Sequence, residues 1–193
     1  MVELYVSEIL SRASGERAFI MLLQEKEGLR KLPVLIGPSE AQSIAFAKRN
    51  VHFSRPVTHD LFINFAEACG ATLLNATIYK ISEGTFYSHL VFRAGEREFK
   101  IDARTSDAVA VAMRSGAPIF IEDELLNVLC VKEEWENAIS IPITLAGTDT
   151  LREVMQRAIK DENYELAMKL KEELDARAKG DDDRNVSPEG MNN

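Results

Sequence analysis

Apolar and polar positions alternate in short runs from the first residues, the period-two signature of strands with one buried face. Residues 3–10 and 17–24 carry it, the second with the run Ala18-Phe19-Ile20-Met21-Leu22-Leu23, and Ser14-Gly15-Glu16 forms a turn between them. A third strand, 31–36, ends at Gly37. Pro38 then opens a helix, because the N–H it lacks has no partner in a first turn anyway. That helix runs to about Asn50, with Ala41, Ile44, Ala45 and Ala47 on its apolar side. After a loop at 51–56, Thr58 is a good N-cap for a second helix. Leu61, Phe62, Phe65, Ala66 and Cys69 follow at helical spacing, and Gly70 is a natural stop.

The pattern then returns to strands over 72–81, 85–93 and 97–101, with Ser82-Glu83-Gly84 and Ala94-Gly95-Glu96 as hairpin turns. A third helix covers 105–114 and closes with Ser115-Gly116, Pro118 lying just beyond. Ile119-Phe120-Ile121 reads as a short buried strand and 122–129 as a short helix. Phe62, Phe65, Phe86 and Phe92 read as core. This order predicts an α+β fold, a mixed and largely antiparallel sheet packed with helices, over residues 1–131.

Residues 132–148 mix charge, apolar residues, Pro142 and Gly147 without a period and read as a linker, in which Trp135 could pack the parts together. Two helical patterns follow within 149–179, Thr150 to Lys160 and Asn163 to Lys179, joined by Asp161-Glu162. Leu151, Met155 and Ala158 are spaced to face Tyr164, Ala167, Leu170 and Leu174, which predicts an αα-hairpin. The polar stretch 180–193, with Asp181-Asp182-Asp183, reads as a disordered tail.

Composition narrows the class. Of 193 residues, 46% are hydrophobic and 28% charged, which is ordinary globular material. No apolar run approaches the roughly 18 to 20 residues that cross a bilayer. No basic segment followed by an apolar one opens the chain, so no secretory signal is expected. Cys69 and Cys130 lie in apolar segments and form no C-x-x-C pair, so they are expected to be buried reduced thiols. The expected compartment is the cytoplasm. Net charge is −8, spread over both parts: 15 Lys/Arg against 19 Asp/Glu in 1–145, and 8 against 12 in 146–193. Neither part is the basic body that holds nucleic acid by bulk electrostatics. Binding to phosphates would need a local cluster of Arg and Lys, or a metal held by carboxylates.

Polar chemistry collects at three expected helix starts: Gly37-Pro38-Ser39-Glu40, Arg55-Pro56-Val57-Thr58-His59-Asp60, and Asp102-Ala103-Arg104-Thr105-Ser106-Asp107. A helix start offers unpaired N–H groups and a partial positive charge, which suit a phosphate. Ser, Thr, Asp and Glu there also cap the helix, a purely structural use contributing about 0.5–2 kcal/mol. Arg55 and Arg104 oppose the dipole and need another partner, either an internal carboxylate such as Asp60 or Asp102 or a bound phosphate. Glu40, Asp60, Asp102 and Asp107 could converge if the helix starts lie side by side. Such an oxygen set suits Mg²⁺ or Mn²⁺, which can activate water for attack on a phosphodiester, and salt bridges are the structural alternative. His59 is the candidate general acid or base, with weaker contexts at His52 and His89. No Ser-His-Asp signature and no glycine-rich phosphate loop is present.

The ordered segments 32–41 (LPVLIGPSEA), 55–61 (RPVTHDL), 84–87 (GTFY), 101–108 (IDARTSDA) and 116–119 (GAPI) resemble the bifunctional nuclease domain family over residues 1–131. The resemblance implies hydrolysis of phosphodiester bonds in both DNA and RNA. By position, Glu40, Arg55, His59, Asp60, Asp102, Arg104, Ser106 and Asp107 fall on its motifs. The resemblance does not itself assign roles; on side-chain chemistry Glu40, His59, Asp60, Asp102 and Asp107 are the expected catalytic residues, with Glu40, Asp102 and Asp107 as metal ligands. Arg55, Arg104 and Ser106 would bind phosphate. Thr105 stands where the family usually has proline, which bears on the position of Arg104.

The C-terminal run Leu151, Met155, Ala158, 161–167 (DENYELA) and 170–174 (LKEEL) is similar to the UVR motif of the B and C subunits of the excision-repair nuclease. In its relatives that hairpin pairs with a like hairpin on another chain, so a protein partner through 149–179 and a homo-oligomer are expected. A non-catalytic scaffold or regulatory protein, acting through the hairpin and a dimer surface, is the alternative from a different functional class. A sensor binding an anion at the helix starts is a third.

Overall fold

The computed structural model describes residues 1–11, 18–130, 148–160 and 163–182. The turn at Ser14-Gly15-Glu16, the linker with Trp135, the Asp161-Glu162 joint and the end of the tail lie outside the described residues.

The first unit opens with β1 (Val2–Ser11), β2 (Phe19–Glu25) and β3 (Lys31–Ile36), then α1 (Pro38–Lys48) and α2 (Thr58–Ala68). A meander follows, β4 (Ala71–Ser82), β5 (Thr85–Ala94) and β6 (Arg97–Arg104), then α3 (Thr105–Ser115), β7 (Ile119–Ile121) and α4 (Asp123–Leu129). The strands form one seven-stranded sheet in the order β3-β2-β1-β7-β4-β5-β6. β1–β2, β2–β3, β1–β7 and β5–β6 pair antiparallel, and β4–β7 is parallel. A parallel pair needs a crossover, and α3 supplies it. The β4–β5 turn has φ of 52° at Glu83 and 75° at Gly84, the left-handed pair that matches hairpin twist.

α3 is the hub. Ala108, Val109, Ala110, Val111 and Ala112 are all buried, so the helix is enclosed on every side. Its alanines let neighbours approach closely, and α1, α2, β4 and β6 all contact it. Gly116 ends it in the left-handed conformation, φ 69°, which a side chain would strain. The sheet core is apolar: Met21, Leu23, Leu32, Ile78 and Ile121 are essentially inaccessible, with Ile44 of α1 and Leu126 of α4.

The expected mixed, largely antiparallel α+β fold is present, and four local expectations change. Val57, not Thr58, is the N-cap of α2: its N–H donates to Asp60 Oδ2 at 3.1 Å, and Thr58 is already helical. β6 continues to Arg104 because His89, Ser88 and Tyr87 of β5 pair with Asp102, Ala103 and Arg104. Phe65 is exposed, whereas Phe92 is buried between the rings of Phe62 and Phe99, centroids 6.0 and 5.9 Å away. Cys69 is exposed, because α2 has no fully buried residue and its end faces solvent, and Cys130, at the end of α4, is half-buried; both are free thiols.

The second unit contains α5 (Thr148–Lys160) and α6 (Tyr164–Asp182), an αα-hairpin. α6 continues past Gly180, where the tail was expected to begin. Asn163 starts α6, its Oδ1 accepting the Leu166 N–H at 3.2 Å. Leu151, Ala158, Ala167 and Leu170 are buried, whereas Tyr164, expected on the inner seam, is 66% exposed, with Ile159 and Met168 also exposed.

Candidate functional site

The starts of α1, α2 and α3 lie around one cleft of about 370 Å³. α1 contributes Ser39, Glu40, Gln42, Ser43 and Phe46; the start of α2 contributes Val57, Thr58 and His59; Arg104 and Asp107 come from the β6–α3 junction. The spacing explains the α1 wall. Ala41 and Ile44 turn into the core, so Glu40 and Ser43, three residues apart, share the opposite face. Gly37 allows Glu40 to curl back over the helix start, since a Cβ there would stand 2.5 Å from Glu40 Oε2.

A chain of polar contacts runs along the cleft. Ser43 Oγ lies 2.9 Å from His59 Nδ1, and His59 Nε2 lies 3.4 Å from Asp107 Oδ1. Arg104 donates to Asp107 Oδ2 through Nε at 2.8 Å and to Glu40 Oε1 through Nη1 at 3.0 Å. Arg114 donates to Ser43 Oγ at 3.0 Å, which leaves the serine hydroxyl proton free for His59 Nδ1. In that tautomer His59 Nε2 carries the proton and points to Asp107. Its 3.4 Å contact is the loosest in the chain, and there a water or substrate oxygen can enter.

Burial alone would push the Asp107 carboxyl up. Hydrogen bonds from Arg104 and His59, with the Arg104 charge, outweigh it and hold the group below the ordinary carboxylate range. Arg104 is in turn held above the usual guanidinium value, first by Asp107 and then by Glu40. Its side chain is nonetheless 68% exposed, so the guanidinium is both charged and reachable.

Of the residues singled out in the sequence, Glu40, His59, Arg104 and Asp107 come together here. Asp60 sits behind the cleft, its Oδ1 held by Arg114 Nε at 2.8 Å. Asp102 lies elsewhere, because β6 carries it along the strand instead of delivering it to a helix start; Tyr79 OH donates to it at 3.4 Å. Arg55 is exposed and without an ion pair among the described residues, and neither it nor Ser106 lines the cleft. The internal carboxylate that partners Arg104 is therefore Asp107, with Glu40, and not Asp102.

The expected metal set of Glu40, Asp102 and Asp107 is not assembled. Arg104 occupies the space between Glu40 and Asp107, and Asp102 is outside the cleft. Among the described residues no three His, Cys, Asp or Glu side chains are grouped to hold a metal ion. Ser43 and Arg114 are the participants that sequence reasoning missed. Ser43 was within reach, at helical spacing from Glu40, whereas Arg114 looks like an ordinary cation in the last turn of a helix.

Residues 21–134 match the bifunctional nuclease domain family, more than half of the chain. The chain belongs to that family. Residues 148–176 match the UvrB/uvrC motif, which coincides with the α5–α6 hairpin. Two proteins of Mycobacterium tuberculosis, "Uncharacterized protein MT1877" from strain CDC 1551 / Oshkosh and "Uncharacterized protein Rv1829" from strain ATCC 25618 / H37Rv, are each 44% identical over 107 residues. That stretch is 55% of this chain and 63% of each relative, so less than two thirds of their length is covered. In this bifunctional nuclease domain the motif residues are therefore divided between a cleft, where Glu40, His59, Arg104 and Asp107 meet, and surfaces beyond it. No described helix is long and apolar enough to cross a membrane.

Proposed function

We propose that this protein is a nuclease that hydrolyses phosphodiester bonds of DNA and RNA with little sequence specificity, and that the cleft at the three helix starts is its active site. The observation that carries the reading is the continuous chain Ser43–His59–Asp107–Arg104–Glu40. It places an exposed guanidinium beside an oriented imidazole. An incoming phosphate competes with Glu40 and Asp107 for Arg104, whose planar fork suits two phosphate oxygens. Glu40, released from the arginine, accepts a proton from the attacking water. The water oxygen bonds to phosphorus, the bond from phosphorus to the leaving oxygen breaks, and His59 supplies that oxygen with its proton. Ser43 and Asp107 hold the imidazole and are positioning residues. Asp60 acts further back, through Arg114 and Ser43.

The assay is cleavage of single-stranded RNA and plasmid DNA by purified protein in Mg²⁺, in Mn²⁺ and in chelator. His59→Ala and Arg104→Ala should each lower the rate by about 10²-fold or more. Equal cleavage by wild type and both variants would refute the site.

A second reading, a scaffold or regulator without catalysis, is favoured by the exposed apolar residues Ile159, Tyr164 and Met168 on the hairpin. Two short helices gain by packing such a face on a partner. Association through the hairpin is compatible with catalysis in the cleft, so we place in the cytoplasm a homo-oligomer whose hairpin binds a protein partner and whose cleft does the chemistry. If the scaffold reading alone holds, no buffer supports cleavage and Met168→Glu still abolishes association.

A further inference from the structure

Beyond the cleft, the sheet presents a second group of aromatic side chains. Tyr79 on β4 lies with its ring centroid 5.1 Å from His89 and 6.4 Å from Tyr87, both on β5. Tyr79 is 38% exposed, and Tyr87 and His89 are half-buried. Aromatic rings left open to water in this way cost hydration free energy that burial would recover, and three of them adjoin here. Two lysines lie on β4 and β6. Lys80 Nζ stands 5.1 Å from the centre of the Tyr87 ring, and Lys100, paired with Val91 two residues along from His89, is exposed. Neither lysine has an ion-pair partner among the described residues. In a chain with net charge −8, such a local arrangement is set against the overall field. Asp102 faces His89 across the ladder and accepts the Tyr79 hydroxyl, and Glu98, two residues before Lys100, is paired with Arg93.

We propose that this face of β4, β5 and β6 binds single-stranded nucleic acid, with bases stacked on Tyr79, Tyr87 and His89 and phosphates held by Lys80 and Lys100. Rings with accessible faces beside unpaired cations are what unpaired strands use, and stacking needs no particular base. Duplex DNA, with its bases already stacked on each other, cannot use the rings. Burial, and then Lys100, lower the His89 pKa, with Asp102 opposing, so at neutral pH the ring is an uncharged stacking surface. Tyr87 is the cross-strand partner of Arg104, and two strand residues span about 7 Å, so the face adjoins the cleft arginine directly. The inference rests on the nuclease reading only in that the bound strand would continue towards that cleft.

The test is fluorescence anisotropy of a labelled oligothymidylate titrated with the full chain, alongside a duplex of matched length. The His59→Ala background removes cleavage without touching the face. The His59→Ala protein should bind the single strand and, more weakly, the duplex. Tyr79→Ala and Tyr87→Ala should each weaken binding by about tenfold, whereas Tyr79→Phe and Tyr87→Phe retain it. Lys100→Glu should weaken binding and flatten its salt dependence, and Asp102→Asn should tighten it. Absence of binding by the His59→Ala protein, equal binding of duplex, or unchanged affinity in both tyrosine-to-alanine variants with thermal melts intact would overturn the proposal. Ring-dependent binding without any cleavage by wild type would remove the nuclease reading and leave this face standing.

Discussion

Arg114 ends α3 with its side chain only 10% exposed, and its guanidinium reaches Asp60 on α2, the Ser43 carbonyl and hydroxyl on α1, and the Ala110 carbonyl on its own helix. One side chain thus joins the three helices that form the cleft. Removing it takes one charged donor from Asp60, which keeps the Val57 N–H, and the donors to the Ser43 carbonyl and hydroxyl. Arg114→Ala should therefore destabilise the protein by about 2–3 kcal/mol, with Arg114→Lys recovering only part, measured by urea unfolding. His89 gives a second prediction. Its pKa is lowered in the folded protein, chiefly by burial, so the unfolded chain binds the proton more readily. The stability it contributes is present above the ordinary histidine value near pH 6.5 and is lost as pH falls below it. Wild type should lose stability between about pH 7 and 5 more steeply than His89→Gln, and parallel curves would contradict the assignment. Glu40, His59, Arg104 and Asp107 were legible in the sequence because helix starts are marked by local chemistry. Arg114 was not, and Ser43 was marked only by its helical spacing from Glu40, because an interior helical position acquires its role from the neighbour that packs on it.

At the scale of elements, the junction of β6 and α3 sets where the cleft arginine stands. The sequence pattern marks a helix at Thr105, and its strand pattern fades at Ile101, yet pairing with β5 carries the strand on to Arg104. Strand length here is decided by the partner's register, which no local pattern contains, and so Asp102 was misassigned to a helix start. Thr105, in place of the family's usual proline, is explained by packing. Its hydroxyl meets Ser88 Oγ at 2.6 Å, both residues being buried, and this fixes the start of α3 to β5. Thr105→Pro should suit the first helical turn but leave the Ser88 hydroxyl unpaired, at a cost of about 1–2 kcal/mol. Adding Ser88→Ala should restore most of it, and thermal melts of the two single variants and the double one would check this. The hairpin supplies the other element-scale prediction. Met168→Glu should abolish self-association in sedimentation equilibrium while leaving the cleavage rate per chain unchanged.

For the whole molecule, the order of elements and the α+β class followed from periodicity and turn residues, since hydrophobic patterning is a property of the chain itself. The seven-strand order, with β7 inserted between β1 and β4, did not, because a three-residue strand carries no register of its own. Net charge of −8 excludes broad attraction for nucleic acid, and binding would therefore fall to two local arrangements, the exposed Arg104 and the aromatic face beside it. The central claim is that the cleft cleaves phosphodiester bonds through His59 and Arg104. It is tested most directly by the initial rate of cleavage of a single-stranded RNA by wild type, His59→Ala and Arg104→Ala, purified identically. The predicted result is activity in the wild type and a loss of about 10²-fold or more in each variant, with unfolding midpoints unchanged. Equal rates in all three proteins, or no cleavage by the wild type in Mg²⁺, Mn²⁺ or chelator, would contradict it.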